Sequence, residues 1–123
     1  MIISTRNAPE AVGAYSQGVS ANGFVFCSGQ IPLEPGSGEL VGGSVADQTR
    51  QCLANLSAVL EAAGTSSPHI VKVTAYLTDM ADFPEFNKIY ERFFGADPPA
   101  RATVGVSGLP KGAKVEVECV ALV

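Results

Sequence analysis

Residues 70–94 read IVKVTAYLTDMADFPEFNKIYERFF, and the hydrophobic period changes partway along them. The first nine are rich in β-branched residues and alternate, with Val71, Val73, Ala75 and Leu77 set against Ile70, Lys72, Thr74 and Tyr76. That two-residue period is the pattern of a strand. After Asp82 the apolar residues Phe83, Phe86, Ile89, Tyr90 and Phe93 recur at three and four, the period of a helix that buries one stripe. Asp82 and Glu85 have capping-box spacing, Pro84 suits the first turn and Gly95 suits the end. The segment predicts a strand running directly into an amphipathic helix.

Working outward, the preceding segment repeats the order. Residues 19–31, VSANGFVFCSGQI, predict a hairpin, because Asn22–Gly23 suits a turn with positive φ at both central residues. Alternation then places Phe24, Phe26 and Ser28 on one face and Val25, Cys27 and Gly29 on the other. A Pro/Gly-rich loop, residues 32–44, leads to a helix over about Val45–Ala63, with a stripe through Thr49, Cys52, Leu53, Leu56, Val59 and Leu60. Ser44 and Asp47 resemble a cap at its start, and Gly64 suits its end. Downstream, ATVGVSGLP (102–110) and KVEVECVALV (114–123) predict two closing strands.

The order β-hairpin, α, β, α, β, β defines an α+β fold. Right-handed crossovers put both helices on one face of the sheet. The other face is left bare, carrying apolar residues with Arg or Glu from the last strands, and suits another subunit better than water. With no repeat, linker or low-complexity tract, residues 1–123 read as one domain.

Composition narrows the function. Charged residues are 16% of the chain and hydrophobic residues 46%, against roughly 25% charged in an ordinary soluble domain, which also points to association. No apolar run approaches a membrane span, and MIISTRNAPE lacks the features of a signal peptide. A net charge of −4 with scattered Lys and Arg gives no footprint for nucleic acid. Cys27, Cys52 and Cys119 are odd in number and widely spaced, which predicts free thiols and a cytoplasmic protein. The one histidine, His69, has no ligand partners at metal spacing, and GSGELVGG lacks phosphate-loop spacing, so neither a metal nor a bound nucleotide is expected.

Among chemistry-bearing residues, Arg101 stands out. It follows Asp97–Pro98–Pro99–Ala100 at the start of a strand, and a guanidinium fixed there can clamp a carboxylate with two parallel bonds. Taken alone it reads equally well as a surface ion pair. Glu116 and Glu118 share one face of the last strand and, taken alone, suit a solvated edge. Tyr15 in GAYSQG and Asn87 beside Phe86 are each ordinary in isolation.

Together these residues are more informative. GAYSQGV (13–19), CSGQIPLEPGSGEL (27–40), DQTRQCLANLSAVLEAAG (47–64), VKVTAYLTDMADFPEFNKIYERFF (71–94) and PPARATVGVSGLPKGAKVEVECVAL (98–122) resemble the Rid family, the YjgF/RidA group of reactive-intermediate deaminases. SGQIP, the N-x-x-Y-x-x-FF helix, PAR and LPK followed by VEVE carry the resemblance. It implies a chorismate-mutase-like homotrimer with sites in clefts between subunits. The implied reaction hydrolyses 2-enamines and 2-imines, such as 2-iminobutanoate and 2-iminopropanoate, to 2-oxo acids and ammonia without a cofactor. By motif, Arg101 matches the carboxylate-binding arginine and Glu116 the acid that handles water; Tyr15, Ser28, Gly29 and Asn87 match the rest of the pocket. Thr103 stands where many relatives carry cysteine, so thiol chemistry is not expected at that position.

The residues support such a reaction on their own terms. Arg101 can fix the carboxylate of a 2-imino acid and so the neighbouring C=N carbon. Glu116 can orient water and move protons. Backbone N–H groups near Ser28–Gly29 can hold the second carboxylate oxygen, since glycine allows close approach. The alternative is a regulatory protein that binds small 2-oxo or amino acids without turnover; a clamp alone needs no acid, and the presence of Glu116 favours the enzyme.

Overall fold

The computed structural model describes residues 1–123. Strands β1 (Ile2–Ile3), β2 (Gly18–Ala21) and β3 (Phe24–Gln30) precede helix α1 (Val45–Ala62). Strand β4 (Ile70–Leu77), helix α2 (Phe83–Phe94), strand β5 (Ala100–Gly105) and strand β6 (Val115–Leu122) follow. All six strands form one mixed sheet in the order β1-β2-β3-β6-β4-β5. Strand β6 lies antiparallel to both β3 and β4, and β4 and β5 are parallel. The closing strand is therefore central, not a solvated edge.

The turn residues behave as their chemistry requires. Asn22 and Gly23 take φ of 51° and 81° in the hairpin. Ser44 Oγ accepts the Asp47 N–H at the start of α1, while Gly95 closes α2 at φ 70°. The capping box at Asp82 does not form, because Asp82 has helical backbone angles and makes no side-chain cap. Glu85 reaches across to accept the Ala46 N–H, tying the first turn of α2 to that of α1.

Both helices cover the same sheet face, as the crossovers predict. Cys52, Leu53, Leu56, Val59 and Leu60 of α1 and Phe86, Ile89 and Tyr90 of α2 close over Val25, Val73, Ala75, Leu77, Val115, Val117, Cys119 and Ala121. One register differs from simple alternation. An irregularity in the β4–β6 pairing falls between Ile70 and Lys72, so Ile70 joins the core and Val71 is exposed. The opposite face leaves Val19, Phe24, Phe26, Val104 and Leu122 exposed, Phe26 to 50%. Apolar side chains grouped on a sheet face mark it for contact.

Three buried amides hold the loops to this frame, a feature that periodicity does not reveal. Gln17 accepts the Thr5 N–H and donates to the carbonyls of Thr5, Ala8 and Pro9. Gln48 donates to Val41 O and accepts the Lys114 N–H. Asn55, fully buried in α1, donates to the carbonyls of Ile31 and Leu33. Replacing Asn55 with Leu keeps the bulk and strands those carbonyls. It should lower stability by about 2–4 kcal/mol, read as an earlier urea midpoint at fixed protein concentration.

Candidate functional site

Strand β3 departs from its pairing with β6 where the site begins. Cys27 opposes Cys119 and Gln30 opposes Val117, so Ser28 and Gly29 stand across from a single residue. This is a β-bulge, which re-aims the residues it contains. It turns Gly29 away from the Val25–Cys27 face expected from alternation and towards Glu116. A Cβ on Gly29 would overlap Glu116 Oε2 and lie 3.0 Å from the carboxyl carbon, so glycine is what leaves room for the acid. Ser28 is already committed: its N–H donates to Gln17 O and its hydroxyl to Ser16 O. That N–H is not free for a substrate, contrary to expectation. Its bonds instead pin the 13–19 loop, with exposed Tyr15, alongside β3. Tyr15 also lines a cavity of about 830 Å³, walled mostly by the N-terminal segment, with neither Arg101 nor Glu116 on it.

Glu116 and Glu118 project from β6 onto the sheet face away from the helices, where Tyr76 of β4 lies in register with Glu116. The Tyr76 hydroxyl donates to Glu118 Oε1. Burial, and secondarily the charge of Glu118, raise the pKa of Glu116 above the ordinary carboxylate value, so it gives up its proton less readily than an exposed carboxyl. The alternation of β4 placed Tyr76 opposite the core residues, but nothing in the sequence marked it as the partner of Glu118.

Arg101 belongs to the other side. It is in register with Val73, and Thr103 with Ala75, both buried under the helices. Registered neighbours share a face, so of the Arg or Glu expected on the bare face, it is Glu that lies there. Arg101 Nη1 donates to Asn87 Oδ1 at 2.8 Å, and its guanidinium carbon lies 4.6 Å from the Tyr90 ring centre and 5.4 Å from that of Phe83. No carboxylate of the chain pairs with it, the one ion pair being Arg50–Asp47. The bland reading of Arg101 as a surface ion pair therefore fails. Thr103 Oγ1 is buried without a hydrogen-bond partner.

The expected site residues thus fall into two groups. Ser28, Gly29 and Glu116, with the Tyr15 loop, lie beside the bare sheet face; Arg101, Asn87 and Thr103 lie on the helix side of β5. Strand β4 separates β6 from β5, putting their backbones about 10 Å apart before the opposite facing is counted. One chain does not bring the groups together. His69 is exposed in a short turn, no three metal-binding side chains converge, and no helix is long and apolar enough to cross a membrane.

Two helices on one face of a mixed six-stranded sheet, with a free arginine at one edge and a carboxylate pair on the uncovered face, define a two-layer α+β protein. Known proteins place it more closely. The chain belongs to the family described as endoribonuclease L-PSP, whose model matches residues 5–123, and relatives in it carry the Rid and RutC names. It is 50% identical to a RutC family protein of Pyrococcus horikoshii over 98% of this chain and 95% of that one. It is 46% identical to the 2-iminobutanoate/2-iminopropanoate deaminase of Rattus norvegicus, over 98% of this chain and 88% of the relative. The crystal structure of E. coli TdcF with bound serine superposes with a TM-score of 0.95 at 43% identity, covering 100% of this chain and 98% of that one.

The Tyr76–Glu118 contact has a direct optical test. Donation to Glu118, then burial, push the Tyr76 pKa up to about 12, against about 10 in an unfolded chain. Because the unfolded chain ionises first, folding loses stability as pH rises from about 10 through the folded value, and loses nothing below. In tyrosinate absorbance titration, Tyr76→Phe should remove a component near the upper end; loss of a component at about 10 instead would mean that the contact is absent in solution.

Proposed function

We propose that this protein hydrolyses reactive 2-enamine and 2-imine acids, 2-iminobutanoate and 2-iminopropanoate among them, to 2-oxo acids and ammonia. The observation that carries this reading is Arg101: a guanidinium held by Asn87 and two aromatic rings and matched by no carboxylate of its own chain. A site built to keep a cation unpaired suits an anionic substrate, and a planar fork suits a carboxylate. The deaminase name of the rat relative and the serine bound to TdcF support a small amino-acid-like ligand.

Assembly supplies the second half. The exposed apolar face with Glu116 on it favours a homotrimer of single-domain subunits, in which the Arg101 edge of one subunit closes over the Glu116 face of the next. Arg101 would hold the substrate carboxylate, with Asn87 and Thr103 beside it, and Tyr15, Ser28 and Gly29 shaping the opposite wall. Glu116, whose proton affinity is raised by burial, serves as the acid that protonates the imine nitrogen and makes the carbon a better electrophile. The carboxylate then takes a proton from the attacking water. On collapse of the carbinolamine, the hydroxyl proton passes to nitrogen, ammonia leaves and the 2-oxo acid remains. No metal or organic cofactor is needed for these steps, and the reaction suits a cytoplasmic enzyme. The acidic net charge of −4 argues against nucleic acid as the partner.

The test couples a serine or threonine dehydratase to this protein and follows imine decay with 2-oxo acid and ammonia release. Arg101→Ala should cost about 2–4 kcal/mol in transition-state stabilisation, roughly thirty- to nearly a thousand-fold in kcat/KM. Arg101→Lys should recover part. Glu116→Gln should suppress turnover while 2-oxobutanoate still binds. Binding by wild type without any turnover would instead identify a non-catalytic binding protein.

The division between subunits has its own test. Arg101→Ala and Glu116→Gln chains, each inactive alone, should regain activity when unfolded together and reassembled. A random equal mixture leaves about a quarter of the sites with both groups. No recovery in a mixture that sediments as a trimer would place both groups of each site in one subunit and refute the composite site. Activity should also survive prolonged EDTA treatment; loss on chelation with rescue by a divalent ion would refute the metal-free mechanism.

A further inference from the structure

Arg101 is a long, exposed side chain, yet its head is held on two sides by one face of α2. Phe83, Asn87 and Tyr90 lie at i, i+4 and i+7 on that helix, and all three reach the guanidinium. We propose that Tyr90 is a positioning residue, the aromatic floor of a cradle that presets the Arg101 fork before substrate arrives, with Glu91 fixing the cradle's wall. This rests on Arg101 as the carboxylate-binding group.

The floor is rigid. Tyr90 is 3% exposed, and its ring packs between Phe86 at 5.6 Å and Phe94 at 4.5 Å between centres. The guanidinium lies over this ring, where the negative π face favours a weakly hydrated, delocalised cation. The wall is oriented as well. Glu91 Oε1 accepts a hydrogen bond from Asn87 Nδ2 at 3.0 Å, which leaves Asn87 Oδ1 to face Arg101 Nη1. An amide turned the other way would present N–H to a cation that has only donors. One of the five guanidinium N–H groups is spent on Asn87, and enough remain for a paired contact with a carboxylate. The N-x-x-Y spacing thereby acquires a physical reason, since residues three apart are neighbours on one helix face.

The hydroxyl plays no part in this cradle: Tyr90 Oη is buried without a hydrogen-bond partner. Ring and hydroxyl are therefore separable. Tyr90→Phe keeps the floor, and Tyr90→Leu removes it while keeping an apolar filler.

The proposal is tested in the assembled protein by kinetics and by NMR of the arginine side chains. Tyr90→Leu should lower kcat/KM about tenfold, chiefly through KM, and Tyr90→Phe should restore it to within about twofold of wild type. In the Arg101→Ala background the same Tyr90→Leu change should cost nothing further; an equal loss in both backgrounds would reduce Tyr90 to core packing. Glu91→Ala should also raise KM, in proportion to the fraction of Asn87 amides released. Without substrate, the Arg101 Nε–H signal should carry the upfield ring-current shift of a stacked guanidinium in wild type and Tyr90→Phe, and lose it in Tyr90→Leu. An unshifted wild-type signal would overturn the cradle whatever the activity. A shifted signal in a protein that hydrolyses no imine would leave the cradle standing and remove only the proposed reaction. If Tyr90→Phe is as impaired as Tyr90→Leu, the hydroxyl is what matters and the floor is refuted.

Discussion

Burial of Val115, Val117, Cys119 and Ala121 beneath the helices is the constraint from which the arrangement of the site follows. Strand β6 is hydrogen-bonded on both sides, by β3 and by β4, so it cannot rotate to relieve a poor side-chain placement. Once its odd-numbered residues are fixed in the core, the two-residue period obliges Glu116 and Glu118 to face away from it. The same rule acts on β5, where register with Val73 and Ala75 sends Arg101 and Thr103 to the helix side. Acid and cation are thus kept apart by the pleat of the sheet. Two groups that would otherwise neutralise each other within a chain stay available.

Much of this architecture was legible in the amino-acid order. The change of period at residues 70–94 gave the β4–α2 unit, Asn22–Gly23 gave the hairpin, and right-handed crossovers put both helices on one face. Two misreadings share a cause: simple alternation assumes an unbroken ladder. The irregularities at Ile70–Lys72 and Cys27–Gln30 each shift the facing of what lies beside them, moving Val71 out of the core and Gly29 to the side of the carboxylate. The Asp82–Glu85 pattern matched a local cap, but Glu85 found a partner in α1, thirty-nine residues away in the chain. The candidate site residues were singled out through combined motifs, because Tyr15, Asn87 and Glu116 are individually unremarkable. Their division between two faces required the strand order, which no local pattern encodes: β6 could have lain outside β5 with the same sequence signals.

An unmatched arginine in a chain of net charge −4 also shapes how a ligand approaches. The overall field repels anions weakly and is screened within about 8 Å at physiological salt. Attraction of any anion to Arg101 therefore operates at short range, at the guanidinium itself, where aromatic rings rather than water cover one of its faces. Such a surface gives little long-range steering and strong local discrimination of geometry.

The strand order also divides the molecule by how readily its parts open. β6 is protected by neighbours on both edges, whereas β5 ends the sheet with one edge unpaired. Local opening draws on the least protected segments, so amide hydrogens of β5 exchange by small fluctuations while those of β6 await much larger ones. The acid thus rides on the least yielding strand and the arginine on a compliant margin steadied by α2. Where this molecule has to adjust, it is the β5 margin that gives way first, while Glu116 on β6 keeps its place.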